Sequence, residues 1–159
     1  MDRTADNETR WIKLGGQDQM KNIFFVGKDV VAVSQSFNIH FLKYKNEEKG
    51  SPQFLTYDVF KEDDEVEGIT CVAGHEGLPM FATAMTKAQI QLFSYPTFAQ
   101  VTTLRNKSEN TQALSFSDGE ILVALSSAPD YALTIWNWLS GKKLRTVLTN
   151  ITSLDQKLM

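Results

Sequence analysis

Short apolar runs recur along the chain, each broken by turn-forming residues. NIFFVG, VVAVSQ, NIHFLKY and QFLTYDVF come first. GITCVAG, MFATAM, QIQLFSY and QVTTL follow, and QALSFS, ILVALSS, ALTIWNW and LRTVL come last. Each run is about five to seven residues long, the usual length of a strand. The runs are rich in Val, Ile, Phe, Tyr and Thr, which suit a pleated, half-buried surface. Gly, Asp, Asn, Ser or Pro separates most of them, so turns are expected between them. No long stretch repeats with a helical period. The only helical expectations are one turn within YDVFKEDDEVEG and a short terminal helix at TSLDQKLM.

The runs fall into groups of four. When the third run of each group is aligned, IHFLKY at 39–44 matches IQLFSY at 90–95, which matches LTIWNW at 133–138. A spacing of roughly 40–50 residues with four strands per unit is the pattern of a β-propeller blade. The expected fold is therefore all-β: a partial WD40-like propeller of about three four-stranded blades, with the ring not closed. The blades are expected at about 20–60, 68–105 and 111–149, with a lone strand at 11–14 and tails at 1–10 and 151–159. That strand, in RWIKLGG, looks like the outer strand of a blade that the chain does not contain.

The last unit is the clearest. Asp118-Gly119 between two apolar runs predicts a hairpin turn. Side chains alternate along a strand, so Thr134, Trp136 and Trp138 share one face and Leu133, Ile135 and Asn137 the other. In a propeller both faces meet neighbouring blades, and the two tryptophans fill the space between them. Each indole N–H then needs a partner. Asp130 follows Pro129 and is placed to accept backbone N–H bonds in a turn. Tyr131 is expected at the blade rim.

Composition narrows the function. The chain has 159 residues, 42% hydrophobic and 22% charged, with a formal net charge of −3. No basic footprint for nucleic acid appears, nor a polybasic patch for a membrane surface. The longest apolar runs, such as IFFV and VVAV, fall far short of the roughly 20 residues of a spanning helix. MDRTADNETRW lacks the apolar core of a secretory signal. The single cysteine, Cys71, cannot form an intrachain disulfide. A reduced, cytoplasmic, soluble protein is expected.

LTIWN stands where WD-repeat proteins place the Trp-Asp ending of the third strand, with Asn137 in place of the aspartate. The first two units depart further, to Leu42-Lys43 and Phe93-Ser94. Gly74-His75 follows a first strand instead of preceding one, so it is not counted as the Gly-His of a WD repeat. RWIKLGGQ with NIFFVGKDVVAVSQSFNIHFL, QIQLFSYPTF, and above all LVALSSAPDYALTIWNW resemble the N-terminal propeller of the cilia- and flagella-associated protein 43 family. The sibling family, cilia- and flagella-associated protein 44, has a similar run. The resemblance implies a WD-repeat scaffold of the cytoskeleton, in the axoneme of cilia and flagella. Its relatives are long proteins with propellers followed by coiled coils, and they tether an inner-arm dynein to the doublet microtubule. The implied partners are tether components and the sibling WD-repeat protein. This chain has three units and no coiled coil, which reads as a fragment, a short isoform or a truncated product. Three blades leave two outer faces open, so self-association through them is also expected.

Catalysis is not expected. His40, His75 and Cys71 offer no full metal ligand set, and their expected roles are structural. No Gly-x-Ser-x-Gly elbow or phosphate-binding loop appears. LGGQDQ precedes a strand, so it reads as a turn. No catalytic, cofactor-binding or metal residue is assigned. The acidic run from Lys61 to Gly68 reads as a solvated loop, with a docking patch for a basic partner as the alternative. Trp136-Asn137-Trp138-Leu139 lacks the Asp and Arg of a ligase-adaptor motif. The expected structural signature is Asp118, Gly119, Asp130, Tyr131, Trp136, Asn137 and Trp138. Two alternatives to the ciliary scaffold stand beside it: a non-ciliary adaptor and a fragment without independent function.

Overall fold

The structure, a computed structural model, describes residues 19–44, 53–58, 68–85, 88–108 and 110–149. These residues form strands and turns. In chain order they are β1 (Asn22–Val26), β2 (Val30–Ser34), β3 (Asn38–Lys43) and β4 (Gln53–Asp58). Then come β5 (Ile69–Gly74), β6 (Met80–Met85), β7 (Gln89–Ser94) and β8 (Gln100–Arg105). The last four are β9 (Thr111–Phe116), β10 (Ile121–Ser126), β11 (Ala132–Asn137) and β12 (Lys142–Leu148). Every apolar run of the sequence coincides with one of them. MFATAM is β6 residue for residue.

The strands make three four-stranded antiparallel sheets, each in plain sequence order. The sheets stack side by side like propeller blades, with β1 against β5 and β5 against β9. The described residues close no ring. The lone strand expected at 11–14 and the terminal helix expected at 152–159 lie outside the described residues, as does the helical turn expected within 57–68 apart from Tyr57 and Asp58, which belong to β4, and Gly68.

Both sides of the second sheet are buried, as a blade between two neighbours requires. Its Phe81 and Phe93 pack on Phe41 and Tyr57 of the first sheet. The Phe41–Phe81 and Tyr57–Phe93 ring centroids are each 5.0 Å apart. Its other side presents small residues, Cys71, Ala73, Ala82 and Ala84, to Leu122, Trp136 and Trp138 of the third sheet. Small against large lets the sheets interdigitate without voids. The innermost strands come closest. A Cβ on Gly74 would collide with the Phe25 carbonyl, so only glycine lets β5 lie this near β1.

Burial fades toward the outermost strands, and β12 is mostly exposed. Among the described residues the outer side of the first sheet is open as well, whereas on the outer side of the third Leu125 is buried and Val123, Leu133 and Ile135 are half-buried. On the first sheet Ile23 and Phe25 are 72% and 55% exposed.

Candidate interaction site at the junction of the second and third sheets

The turn between β9 and β10 organises this junction. Asp118 and Gly119 sit in the loop from Ser117 to Glu120, closed by the Ser117 N–H donating to the Ile121 carbonyl at 3.0 Å. The hairpin is present where the sequence places it. Positive φ among the glycines falls at Gly27, Gly68 and Gly141, so Gly119 does not supply the left-handed geometry of a tight Asp-Gly turn. What it offers is its carbonyl. The Trp138 Nε1–H donates to it at 3.0 Å, and so does the His75 Nε2 at 3.1 Å.

His75 directly follows β5 and is buried. Its Nδ1 accepts from the Gly77 and Leu78 N–H groups at 3.0 and 3.1 Å. Two amide donors on Nδ1 and a carbonyl on Nε2 define the tautomer: Nδ1 is bare and Nε2 carries the proton. The His75 backbone carbonyl also accepts from the Gly27 N–H at 2.8 Å. One residue thus hydrogen-bonds the first sheet's β1–β2 turn and the third sheet's β9–β10 turn. Phe116 and Trp138 pack around its ring, with centroids 5.2 and 6.2 Å away. The sequence signal was Gly74-His75, discounted because it follows a strand.

Asn137 closes the next turn. Its Oδ1 accepts from both the N–H and the Oγ–H of Ser140, each at 2.8 Å. Its Nδ2 donates to Glu120 Oε2 at 2.8 Å. Trp136 and Trp138 are buried on the same side of β11, facing the second sheet. Trp138 has its indole partner, but Trp136 Nε1 has none among the described residues. The Lys143 ammonium stands over the Trp136 ring at 5.0 Å, a cation–π contact that uses the ring and leaves the N–H alone.

A cavity of about 140 Å³ opens beside this face, lined by Asn106, Ser108, Asp130, Thr134, Lys143 and Thr146 among others. Ser108 is buried there, its hydroxyl without a hydrogen-bond partner among the described residues. The Asp130 carboxylate is exposed and makes no hydrogen bond to a described residue, contrary to the turn role expected of it. Backbone groups close that turn instead. The Tyr131 N–H donates to the Ser127 carbonyl at 3.1 Å. The Tyr131 carbonyl accepts from the Thr149 N–H and Oγ–H at 2.7 and 2.6 Å, which ties down the end of β12.

The remaining titratable candidates lie apart. His40 sits in the first sheet between Thr56 Oγ1 at 3.0 Å and the buried Gln35 Oε1 at 3.1 Å. Burial lowers its pKa, and the Asp58 carboxylate pulls partly the other way. Cys71 points across to the third sheet, its Sγ–H donating to the Thr111 carbonyl at 3.5 Å. Burial pushes its thiol pKa up to about 12, with a Thr70 hydrogen bond opposing. Among the described residues, no group of three or more His, Cys, Asp or Glu is placed to hold a metal ion. No described helix is long and apolar enough to cross a membrane. The acidic run lies outside the described residues apart from Gly68.

The arrangement is suited to holding sheets rigidly against each other and presenting their rims and end faces. A scan against protein-family models finds no match, and comparison with curated proteins finds none at a significant level.

Proposed function

We propose that this chain is a noncatalytic interaction scaffold of the WD-repeat type, acting in the axoneme of cilia and flagella. The observation that carries the scaffold reading is the His75 link. One buried side chain and its carbonyl join turns of the first and third sheets through the second. Such bonds stiffen a stack of blades and leave its loops free to bind, and loops on rigid supports are where binding residues concentrate. The axonemal reading rests on the resemblance of LVALSSAPDYALTIWNW to the cilia- and flagella-associated families. On that reading the partners are dynein-tether components and the sibling WD-repeat protein, and the work done is positioning.

Proximity labelling from the tagged chain in ciliated cells tests this. Enrichment of doublet-associated and inner-arm dynein proteins, with the tag along the axoneme, is the expected result. Diffuse signal with coat or RNA-processing neighbours would replace it with a non-ciliary adaptor.

A further inference from the structure

We infer that Asp118 is a site of spontaneous isomerisation to isoaspartate, and that this change disconnects the second sheet from the third. An aspartate side chain reaches the peptide nitrogen that follows it. When that nitrogen attacks the side-chain carboxyl carbon, an N–C bond forms and the carboxyl C–OH bond breaks. The amide hydrogen leaves with the hydroxyl as water, and a five-membered succinimide remains. Water then opens either ring carbonyl. One opening restores aspartate; the other routes the main chain through the side-chain carbon and leaves the α-carboxylate as the side group. Mass is conserved over the two steps, and water is the only co-reactant. The reaction is slow where the next residue's side chain crowds the nitrogen or a hydrogen bond holds it.

The β9–β10 turn presents neither obstacle. Asp118-Gly119 is the only Asp-Gly pair in the chain, and Asn-Gly does not occur. Glycine has no side chain to shield its nitrogen, and the space where a Cβ would stand is empty. Neither the Gly119 N–H nor the Asp118 carboxylate makes a hydrogen bond to a described residue. Ser117 to Glu120 are all exposed, so water reaches the ring. The carbonyl that follows, that of Gly119, is the acceptor shared by His75 Nε2 and Trp138 Nε1. An isoaspartyl link lengthens the main chain by one carbon directly before it. The turn is tied on both sides, by the Ser117 N–H donating to the Ile121 carbonyl and the Trp138 N–H donating to the Glu120 carbonyl. The extra atom must therefore be taken up between those ties, which moves the Gly119 carbonyl. Two donors, one from each sheet, then lose their acceptor together, and a buried donor without an acceptor is costly. The inference concerns this turn alone and does not depend on the axonemal reading.

Ageing the purified chain at neutral pH and body temperature tests it. A protein-isoaspartate methyltransferase with S-adenosylmethionine labels the new α-carboxylate, and peptide mapping should place most of the label at residue 118. Gly119→Ala sets a methyl group beside the nitrogen, in open space and without a left-handed φ. It should fold, and should form isoaspartate at least several-fold more slowly. Should it fail to fold, Asp118→Glu takes its place at this exposed position, since it would have to close a six-membered ring. Cys71 reports on the junction, because its thiol is buried between β5 and β9. In the aged protein the fraction of Cys71 that a maleimide labels fast should equal the isoaspartate fraction, and the aged variant should show several-fold less of both. Isoaspartate no more abundant at residue 118 than at the other aspartates, equal formation in the variant, or isomerised protein whose Cys71 stays as protected as before would each overturn the inference.

Discussion

His75 and Trp138 donate to the same acceptor, the Gly119 carbonyl, from the second and third sheets respectively. Their rings stand nearly perpendicular, at 81°. A carbonyl has two lone pairs, so both bonds are satisfied at once. The pair is a coupled unit. Trp138→Phe keeps most of the apolar volume and loses one hydrogen bond, a cost of about 1 kcal/mol. His75→Ala loses the inter-sheet bond, a ring packed against Phe116, and the acceptor of two amides, and should cost about 2–3 kcal/mol. Urea unfolding of both single variants and the double should show a coupling of at least ~0.5 kcal/mol. Additive effects would mean that the two bonds form independently. Trp136→Phe is the contrast. It removes a buried N–H that has no partner among the described residues, so its cost should be smaller than that of Trp138→Phe.

His40 predicts a pH dependence. Its folded pKa lies below the ordinary value because burial disfavours the imidazolium, more than Asp58 favours it. The unfolded chain takes up this proton near pH 6.5. Below that pH the unfolded state binds more protons, so stability falls. The contribution is complete above about pH 6.5 and is lost as pH drops through the window toward the folded pKa. Denaturation midpoints should fall between about pH 7.5 and 5.5 in the wild type, and less steeply in His40→Gln. Equal slopes would show that His40 does not control this window.

Cys71 should be inert in the folded chain. Reactivity needs thiolate, and a thiol with its pKa near 12 supplies very little at neutral pH. The sulfur is also buried between β5 and β9, against Thr111. A maleimide should label the native protein far more slowly than the protein in denaturant. Rapid stoichiometric labelling of the native protein would mean that the second and third sheets separate readily.

The strands were legible because their pattern is local: alternation, β-branched residues and turn residues between runs. Trp136 and Trp138 on one face followed from the same alternation, and both are buried on it. The junction chemistry was less legible. His75 finds its acceptor 44 residues downstream, and Trp138 finds the same atom 19 residues upstream. Such pairings depend on how the sheets stack, which no strand pattern specifies. The same limit explains Trp136, whose N–H was expected to have a partner and has none among the described residues. It also explains Asp130, whose turn is closed by backbone groups.

Asn137 stands where the WD pattern that this run resembles has an aspartate, and its contacts account for the asparagine. The aspartate of the motif would keep the acceptor for Ser140, since a carboxylate oxygen can take both of its hydrogen bonds. It would lose the donor that faces Glu120. In its place two carboxylates would stand within hydrogen-bond distance, and like charges so close repel. Asn137→Asp should therefore destabilise this chain, by about 0.5–1 kcal/mol at this half-exposed site. Adding Glu120→Gln supplies a donor to the new carboxylate and should restore the loss. Melting curves of the wild type, the single variant and the pair would measure it. If Asn137→Asp is as stable as the wild type, the Glu120 contact does not explain the asparagine.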